Sequence, residues 1–340
     1  MLKFIGRVLM LDIFNLLRKA INEGHPTYKC ILLEREYLIA GDSELAARVP
    51  YENVKEMMVE AKILGKALNA TKNGEITYST READGNFIDT LTLKKNKREI
   101  VLDGAVPELY LKTGMLSDDV EPDEWIKIDP TFIDALKKVS VSMSEDESRP
   151  WSMAVSFHNK KMMCTDSMSL FFVNMDVEGS AVFPEKAVNF ISEVAEHEYP
   201  THFGVTKSAV SFKYASGLLI SSTRNTDERQ EQMAAVVEKS FVKPEFEVTT
   251  EFKECIEAAT VIGERVVEIE PGRVFARSTG ATFDEEIETG VPVEVGKRSF
   301  DTKRLELMFK GIKRISYTNI VACAEKSDDL FAMLSQRTSK

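Results

Sequence analysis

Histidine and cysteine are the side chains of this 340-residue chain best suited to catalysis or metal binding, and both are scarce. Two of the four His, His197 and His202, lie five positions apart with Pro200 between them. A helical zinc motif needs His at i and i+4, so that both imidazoles lie on one face. The observed spacing favours a helix end followed by a turn, and no metal site is expected.

The Cys residues also give little sign of reactive chemistry. Four Cys stand alone, with no CxxC pair, at positions 30, 164, 255 and 323. Isolated Cys are typical of a reduced protein without a thiolate metal site. Cys164 is followed closely by Asp166, but no His lies nearby in sequence to activate a nucleophile. Because Met162 and Met163 precede it in a strand-like run, we expect an inert core Cys.

Other signatures of catalysis are absent from the sequence. It contains neither a Gly-x-x-x-x-Gly-Lys-Ser/Thr phosphate loop nor a Gly-x-Gly-x-x-Gly turn. A carboxylate pair such as Glu285 and Glu286 is typical of a solvated strand or loop. Catalytic groups can be dispersed in sequence, so an enzyme with a site near His197 or Asp166 stays open as an alternative. The balance favours a binding protein that needs no cofactor.

Composition places the chain among globular proteins, since 43% of residues are hydrophobic and 29% are charged. The apolar N-terminal stretch is interrupted by Lys3, Arg7 and Asp12, which disfavours a signal peptide. It is better interpreted as a strand, Lys3–Leu9, leading into a helix. With no apolar run long enough to span a membrane, we expect a cytoplasmic protein. A net charge of −11 by itself disfavours nucleic-acid binding.

The elements that would position any site repeat along the chain. Polar acidic joints near residues 120 and 242 divide it into 1–120, 121–242 and 243–340. Hydrophobic periodicity predicts two amphipathic helices in each third: Leu11–Ile21, Glu60–Leu68, Thr131–Met143, Pro184–His197, Glu251–Ile262 and Asp301–Arg314. Alternating segments bounded by turns such as Asn73-Gly74 predict antiparallel strands between them. We therefore predict an α+β protein of three similar domains, each with two helices on antiparallel sheet.

Positive charge is concentrated on the predicted helices of this acidic chain. The helix Asp301–Arg314 has five Lys or Arg residues and two acids, with an apolar stripe on its other side. Ordinary solvated faces, with cations near helix C-termini, explain part of this pattern. A basic face on the helices alone would also suit contacts with duplex phosphates. The candidate DNA-facing residues are Arg18, Lys19, Lys62, Lys66, Lys137, Lys138, Lys303, Arg304, Lys310, Lys313 and Arg314.

Motifs in the last two thirds resemble the bacterial DNA polymerase III beta subunits, the sliding clamps. Met162–Leu170 is similar to the family's strand that ends in Ala-Thr-Asp-Gly-x-Arg-Leu, and Val182–Ala187 is similar to its second helix start. Phe300–Leu305 resembles the family's Phe-Asn-x-x-Tyr-Leu, and Leu330–Ser335 resembles its closing strand. The order of elements agrees over essentially the whole chain. The resemblance indicates a divergent or viral member.

The resemblance implies a non-catalytic protein that forms a ring. Two chains would join head to tail as a homodimer, with helices lining a hole around double-stranded DNA and sheets outside. Contact with DNA would be independent of sequence. Edge strands and apolar residues would close the interface, through Ile100, Leu102, Thr260, Val261 and Ile262. All five could instead be core residues of their own domains.

The resemblance also implies a pocket between the second and third domains for short peptides of a DNA polymerase and a clamp loader. Its residues would be Thr165, Leu170, Val236, Val237, Met333 and Leu334, although buried β-core is an alternative for some of them. Two departures from the family concern this pocket. Ser167-Met168-Ser169 replaces Gly-x-Arg, and Gln336–Lys340 extends past the usual end. A clamp-fold interaction module that no longer encircles DNA is the alternative function.

Overall fold

The computed structural model describes residues 10–21, 29–52, 55–72, 74–105, 120–223, 229–327 and 329–337. These residues form two compact units, one within Met1–Ile133 and Lys186–Asn225, the other within Asp134–Glu185 and Thr226–Lys340. The strand expected at Lys3–Leu9 lies outside the described residues, as does part of the first joint.

The elements are numbered in chain order. The helices are α1 (Met10–Leu17), α2 (Ala61–Thr71), α3 (Pro130–Ser140), α4 (Glu185–Val194), α5 (Arg229–Ser240), α6 (Thr250–Ile262) and α7 (Thr302–Phe309). The first twelve strands are β1 (Cys30–Leu33), β2 (Tyr37–Gly41), β3 (Leu45–Pro50), β4 (Met57–Glu60), β5 (Glu75–Ala83), β6 (Asn86–Lys95), β7 (Arg98–Asp103), β8 (Ile126–Lys127), β9 (Ala154–His158), β10 (Lys161–Thr165), β11 (Ser169–Asn174) and β12 (Ser180–Pro184). The others are β13 (Pro200–Val205), β14 (Ala209–Tyr214), β15 (Leu219–Thr223), β16 (Phe246–Glu247), β17 (Val266–Glu270), β18 (Arg273–Arg277), β19 (Thr282–Glu286), β20 (Arg298–Asp301), β21 (Arg314–Tyr317), β22 (Val321–Glu325) and β23 (Leu330–Ser335).

The first unit contains an eight-stranded sheet in the order β4-β1-β2-β3-β15-β14-β13-β8. Its centre is the antiparallel pair β3–β15, in which Ala47 lies opposite Ile220. The sheet thereby joins strands of the first and second predicted domains. A separate sheet, β5-β6-β7, lies in the same unit, with α2 packed against β6 and β7.

The second unit repeats this plan. Its eight-stranded sheet has the order β12-β9-β10-β11-β23-β22-β21-β16, and a four-stranded sheet has the order β19-β18-β17-β20. Strands β11 and β23 pair antiparallel, with Phe171 opposite Ala332. This pair joins strands of the second and third predicted domains. Helices combined with antiparallel sheets confirm the predicted α+β class, whereas the division into three domains stays a prediction.

Five of the six predicted helices agree with the structure to within a few residues at each end. The sixth, predicted over Asp301–Arg314, is shorter, and α7 ends at Phe309. Gly311 has φ +75°, a left-handed conformation that glycine adopts without strain and that turns the chain out of the helix. Arg314 consequently begins strand β21, so its predicted placement in a helix is wrong.

Helix α5 is not predicted by the sequence pattern. The pattern assigns no element to its first residues, and its end falls within the polar joint near residue 242. Met233, Ala234 and Val237 on this helix are buried in a cluster with strands β10, β11, β22 and β23. The spacing of these three apolar residues is the helical signal that could have revealed it.

Aromatic rings complete the core of the second unit beneath that helix. Phe172 packs edge-on against Phe241 at 5.1 Å between ring centroids and stacks on Phe331 at 5.3 Å. Such pairs stabilise beyond their buried area. The helix therefore lies on a well-packed layer that fixes its outer face. Among the described residues, no helix is long and apolar enough to cross a membrane.

Candidate functional site

A pocket of about 290 Å³ opens on the surface of the second unit. Its apolar lining comes from Trp151, Met168, Leu170, Met233, Val236, Val321 and Met333. Its polar lining comes from Thr165, Ser167, Ser169, Gln232 and Ser335. None of these side chains is charged, and the three Met can adapt their shape to different ligands. The pocket is therefore suited to apolar side chains of a partner.

The pocket forms where strands distant in sequence become neighbours. Leu170 on β11 lies directly opposite Met333 on β23, so the strand pairing places these two predicted residues side by side. Helix α5 contributes Val236 from another direction. Four predicted pocket residues thus line one cavity, namely Thr165, Leu170, Val236 and Met333.

The other two predicted pocket residues lie away from its surface. Val237 is 3% exposed and packs in the cluster beneath the pocket. Leu334 directly follows the pocket residue Met333, and successive residues of a strand point to opposite faces of the sheet. Leu334 therefore points away from the pocket and is fully buried. The sequence did not identify Trp151, Gln232, Met233 and Val321 as lining residues. Of these four residues, only Met233 could have been found from the sequence, through its helical spacing from Val236 and Val237.

A tight turn between β10 and β11 forms one wall of the pocket. Asp166 Oδ1 accepts hydrogen bonds from the amides of Met168 at 3.0 Å and Ser169 at 2.7 Å. Ser167 has φ +77°, the left-handed conformation that favours glycine, at the position where the family has Gly. Arg149 also donates to Ser167 Oγ at 2.7 Å. Side-chain hydrogen bonds thus hold a turn whose backbone a Ser adopts with strain.

The predicted DNA-facing cations differ in exposure and in pairing. The exposed ones are Arg18, Lys19, Lys62, Lys66, Lys303, Lys310, Lys313 and Arg314. Some of the predicted cations form ion pairs: Lys19 pairs with Glu193, and Lys138 Nζ lies 2.7 Å from Asp329 Oδ2. Arg304 pairs with Asp166, and Arg314 lies 3.6 Å from Glu325. Lys137 is half-buried on α3.

Arg18, directly after α1, and Lys62 and Lys66 on α2 lie close together. A cavity of about 350 Å³ beside these helices is lined by Arg18, Lys62 and Lys66. Lys29, which the sequence did not single out, joins the same cavity, although its Nζ lies 3.2 Å from Glu60 Oε2. Positive charge from separate segments therefore converges on one face of this helix pair.

A second cavity, of about 580 Å³, lies between α6 and α7. It brings the predicted DNA-facing Lys310 beside the predicted interface residues Thr260 and Val261. Nearby, Lys326 Nζ donates to the carbonyl oxygens of Leu307 at 2.6 Å and Met308 at 3.2 Å, near the C-terminus of α7. Burial, reinforced by the charge of Lys310, lowers the pKa of Lys326 to about 8.

The predicted interface residues differ in exposure. Val261 is 84% exposed, an unusual position for a large apolar side chain, and Thr260 and Ile262 are half-buried. Strand β7 is an edge strand of its sheet, but Leu102 on it is buried and Ile100 is half-buried. An exposed apolar residue and an open edge are features of surfaces that pair with another chain.

The residues considered for catalysis are not assembled into a site. His197 is exposed just beyond α4. Cys164 is buried, and burial raises its pKa to about 12, so its thiol stays protonated. In the described ranges, no group of three or more His, Cys, Asp or Glu is placed to hold a metal ion.

Comparison with known proteins gives a consistent result at the level of structure. No protein-family model matches the sequence, and no curated protein matches it significantly. The DNA polymerase sliding clamp of Caulobacter crescentus matches with a TM-score of 0.77 and 16% identity, over 98% of this chain and 99% of that one.

Two further solved clamps agree. The sliding clamp of Pseudomonas aeruginosa matches with a TM-score of 0.75 and 12% identity, over 97% of both chains. The Helicobacter pylori beta clamp, solved with a DNA ligase peptide bound, matches with a TM-score of 0.70 and 15% identity, over 97% of this chain and 98% of that one. The resemblance inferred from the motifs is confirmed, and this chain has the fold of the bacterial DNA polymerase III beta subunit, the sliding clamp, with a sequence that has diverged far from these examples.

Proposed function

We propose that this protein is a DNA sliding clamp, a non-catalytic processivity factor that encircles duplex DNA and tethers replication proteins. The observation that carries the proposal is the match to sliding clamps over 97–98% of the chain. A fold alone can host several functions, so the proposal also rests on the pocket and the helix charges. Tethering raises the effective concentration of a polymerase at its template without any chemistry by the clamp.

The cations of the helices support contact with DNA. The cavity beside α1 and α2 collects Arg18, Lys62 and Lys66, and exposed Lys303 and Lys310 lie on and just after α7. Lysine and arginine at phosphates give affinity without sequence specificity, as sliding requires. The acidic remainder of the chain, with a net charge of −11, would discourage DNA from binding elsewhere.

Ring closure in this proposal uses a head-to-tail homodimer of three-domain chains. Exposed Val261 and the open edge of the β5-β6-β7 sheet would contribute to the interface. Burial of an apolar side chain and pairing of an edge strand are both favourable on association. The ring would work in the cytoplasm with the replisome.

The uncharged pocket of the second unit would bind short peptides of a DNA polymerase and a clamp loader. Its apolar and methionine-rich lining suits hydrophobic anchor residues. The H. pylori clamp of the same fold binds a DNA ligase peptide. A flexible partner segment would be a suitable occupant, because a short peptide fits a pocket of this size.

Retention on circular DNA is the decisive experiment. Light scattering after size-exclusion should give twice the chain mass of 38.3 kDa. Protein placed on a nicked circle with a clamp loader should stay bound at high salt and be released when the circle is linearised. A strict monomer, or identical retention on circular and linear DNA, would contradict encirclement.

The paired cations favour one alternative, a clamp-fold interaction module that no longer encircles DNA. Lys19, Lys138 and Arg304 are all tied to carboxylates and so are less available to phosphates. This alternative predicts that reversing the charge of Lys303 and Lys310 leaves DNA retention and processive synthesis unchanged. The clamp proposal predicts that both fall.

A further inference from the structure

We propose that Arg304 is a positioning residue for the pocket and not a phosphate contact: through Asp166 it holds the turn that forms one pocket wall. The sequence placed Arg304 among the DNA-facing residues, but its guanidinium is directed to carboxylates. The inference rests on the proposed function only in taking the pocket as the peptide site.

Asp166 joins the turn to helix α7. Its Oδ1 accepts from the Met168 and Ser169 amides and from Ser169 Oγ, at 2.7–3.0 Å. Its Oδ2 accepts from Arg304 Nε at 2.6 Å. One carboxylate therefore uses one oxygen to close the turn and the other to attach it to a residue 138 positions away. Charge-assisted hydrogen bonds of this kind are the stronger class.

Asp301 continues the chain of charges. Arg304 lies 3.4 Å from Asp301 Oδ2, and Arg337 lies 3.5 Å from the same oxygen. The side chains of Asp166 and Asp301 are 17% and 15% exposed, and that of Arg304 is 29% exposed. Partly buried pairs are screened less by salt than surface pairs, so this network is better placed to fix geometry.

The C-terminal segment attaches to the same wall. The Ser335 amide donates to the Met168 carbonyl at 2.9 Å, and the Arg337 amide donates to the Ser299 carbonyl at 2.7 Å. Arg337, which follows the closing strand, thus extends the network toward Asp301. The turn is held from the α7 side by the hydrogen bond of Arg304 to Asp166, and from the β23 side by the hydrogen bond of Ser335 to Met168.

Lys303 offers a matched control, because it is the neighbour of Arg304 on α7 and carries the same charge. Lys303 is exposed and forms no ion pair within the described part of the chain, whereas Arg304 contacts two carboxylates. If Arg304 acts through the turn, the two substitutions have different effects. If both act on phosphates, their effects match.

The test compares Arg304→Gln, Asp166→Asn and Lys303→Gln by hydrogen exchange. Loss of the charge-assisted bond should speed exchange of the Met168 and Ser169 amides about tenfold or more in the first two variants. Lys303→Gln should leave that rate unchanged. The double variant Arg304→Gln/Asp166→Asn should exchange no faster than the faster single variant, because each single change already removes the charge-assisted bond between Arg304 and Asp166.

Two further readouts separate positioning from a general loss of structure. Trp151 lines the pocket, so in a Trp125→Phe background its fluorescence should shift in Arg304→Gln but not in Lys303→Gln. The affinity of Arg304→Gln for a short DNA duplex should depend on salt concentration as strongly as that of the native protein, whereas the dependence should be weaker in Lys303→Gln. The inference would be overturned if the Met168 and Ser169 amides of Arg304→Gln exchanged at the native rate. It would also be overturned if the salt dependence of duplex binding fell as much in Arg304→Gln as in Lys303→Gln. Exchange and fluorescence need neither DNA nor peptide, so failure of the clamp proposal would be seen separately.

Discussion

Replacing Val236 by Ala should weaken peptide binding to the pocket about fourfold while leaving the fold intact. Val236 lines the pocket and is 48% exposed, so a bound peptide can cover about half of its side chain. The change removes two methyl groups. Its neighbour on α5, Val237, is 3% exposed and provides the matched control, because Val237→Ala removes the same atoms from the core.

The magnitudes follow from the buried area. A fully buried methyl group contributes about 0.8 kcal/mol, so burying about half of two methyls on binding is worth about 0.8 kcal/mol, or about fourfold in Kd. In the free protein, the lost contacts of Val236 are offset by the higher helix propensity of Ala, about 0.6 kcal/mol. For Val237, two buried methyls and a small cavity outweigh that gain, so the unfolding free energy should fall by about 1.5 kcal/mol.

The assay uses a fluorescein-labelled peptide selected from a random library against the native protein, titrated by fluorescence anisotropy. Urea unfolding of each variant gives the stability in parallel. Val236→Ala should change Kd and not stability, and Val237→Ala should change stability and not Kd. Equal Kd values for the native protein and Val236→Ala would show that the peptide binds elsewhere. A loss of stability in Val236→Ala as large as in Val237→Ala would refute the assignment of their faces.

Three further changes test other parts of the molecule. The double change Lys303→Gln/Lys310→Gln should lower the slope of log affinity for a short duplex against log salt by about 2, because each phosphate contact contributes about 0.9. The affinity is measured by fluorescence anisotropy, and an unchanged slope would exclude these lysines as phosphate contacts. Val261→Glu should place a charge in the proposed interface and yield monomers in light scattering at micromolar concentration, whereas Val293→Glu, at another exposed apolar residue, should remain dimeric. Burial keeps the pKa of Lys326 at about 8 in the folded state, below its value of 10.5 in the unfolded chain. The unfolded state therefore binds more protons between these values, and the unfolding free energy of the native protein relative to Lys326→Met should rise as the pH increases from 8 to 10.5; a fall over this range would contradict the burial of its charge.

Local patterns were sufficient for the fold class and for most of the helices. Apolar spacing identified α2 and α6 because a surface helix must bury one stripe, and alternation identified β5 and β6 because a strand exposes one face. The end of α7 was overestimated, since the left-handed turn at Gly311 interrupts a pattern that continues to Ile312. Helix α5 was missed because its ends are polar and its only helical signal is the short apolar run from Met233 to Val237, which packs into the core.

The sequence by itself determined an α+β chain with cations concentrated on its predicted helices, and the resemblance of its motifs to the sliding clamps placed Thr165 and Leu170 at a pocket. Tertiary structure decided which side chains share that pocket. Leu170 meets Met333 only because β11 pairs with β23, and Val236 is separated from Val237 only by the direction in which α5 faces the sheet. Arg304, a predicted DNA contact, lies beside Asp166 only because the fold brings together two residues that are 138 positions apart. Periodicity depends on neighbours along the chain, whereas pockets and ion pairs depend on contacts between distant segments, which no local pattern specifies.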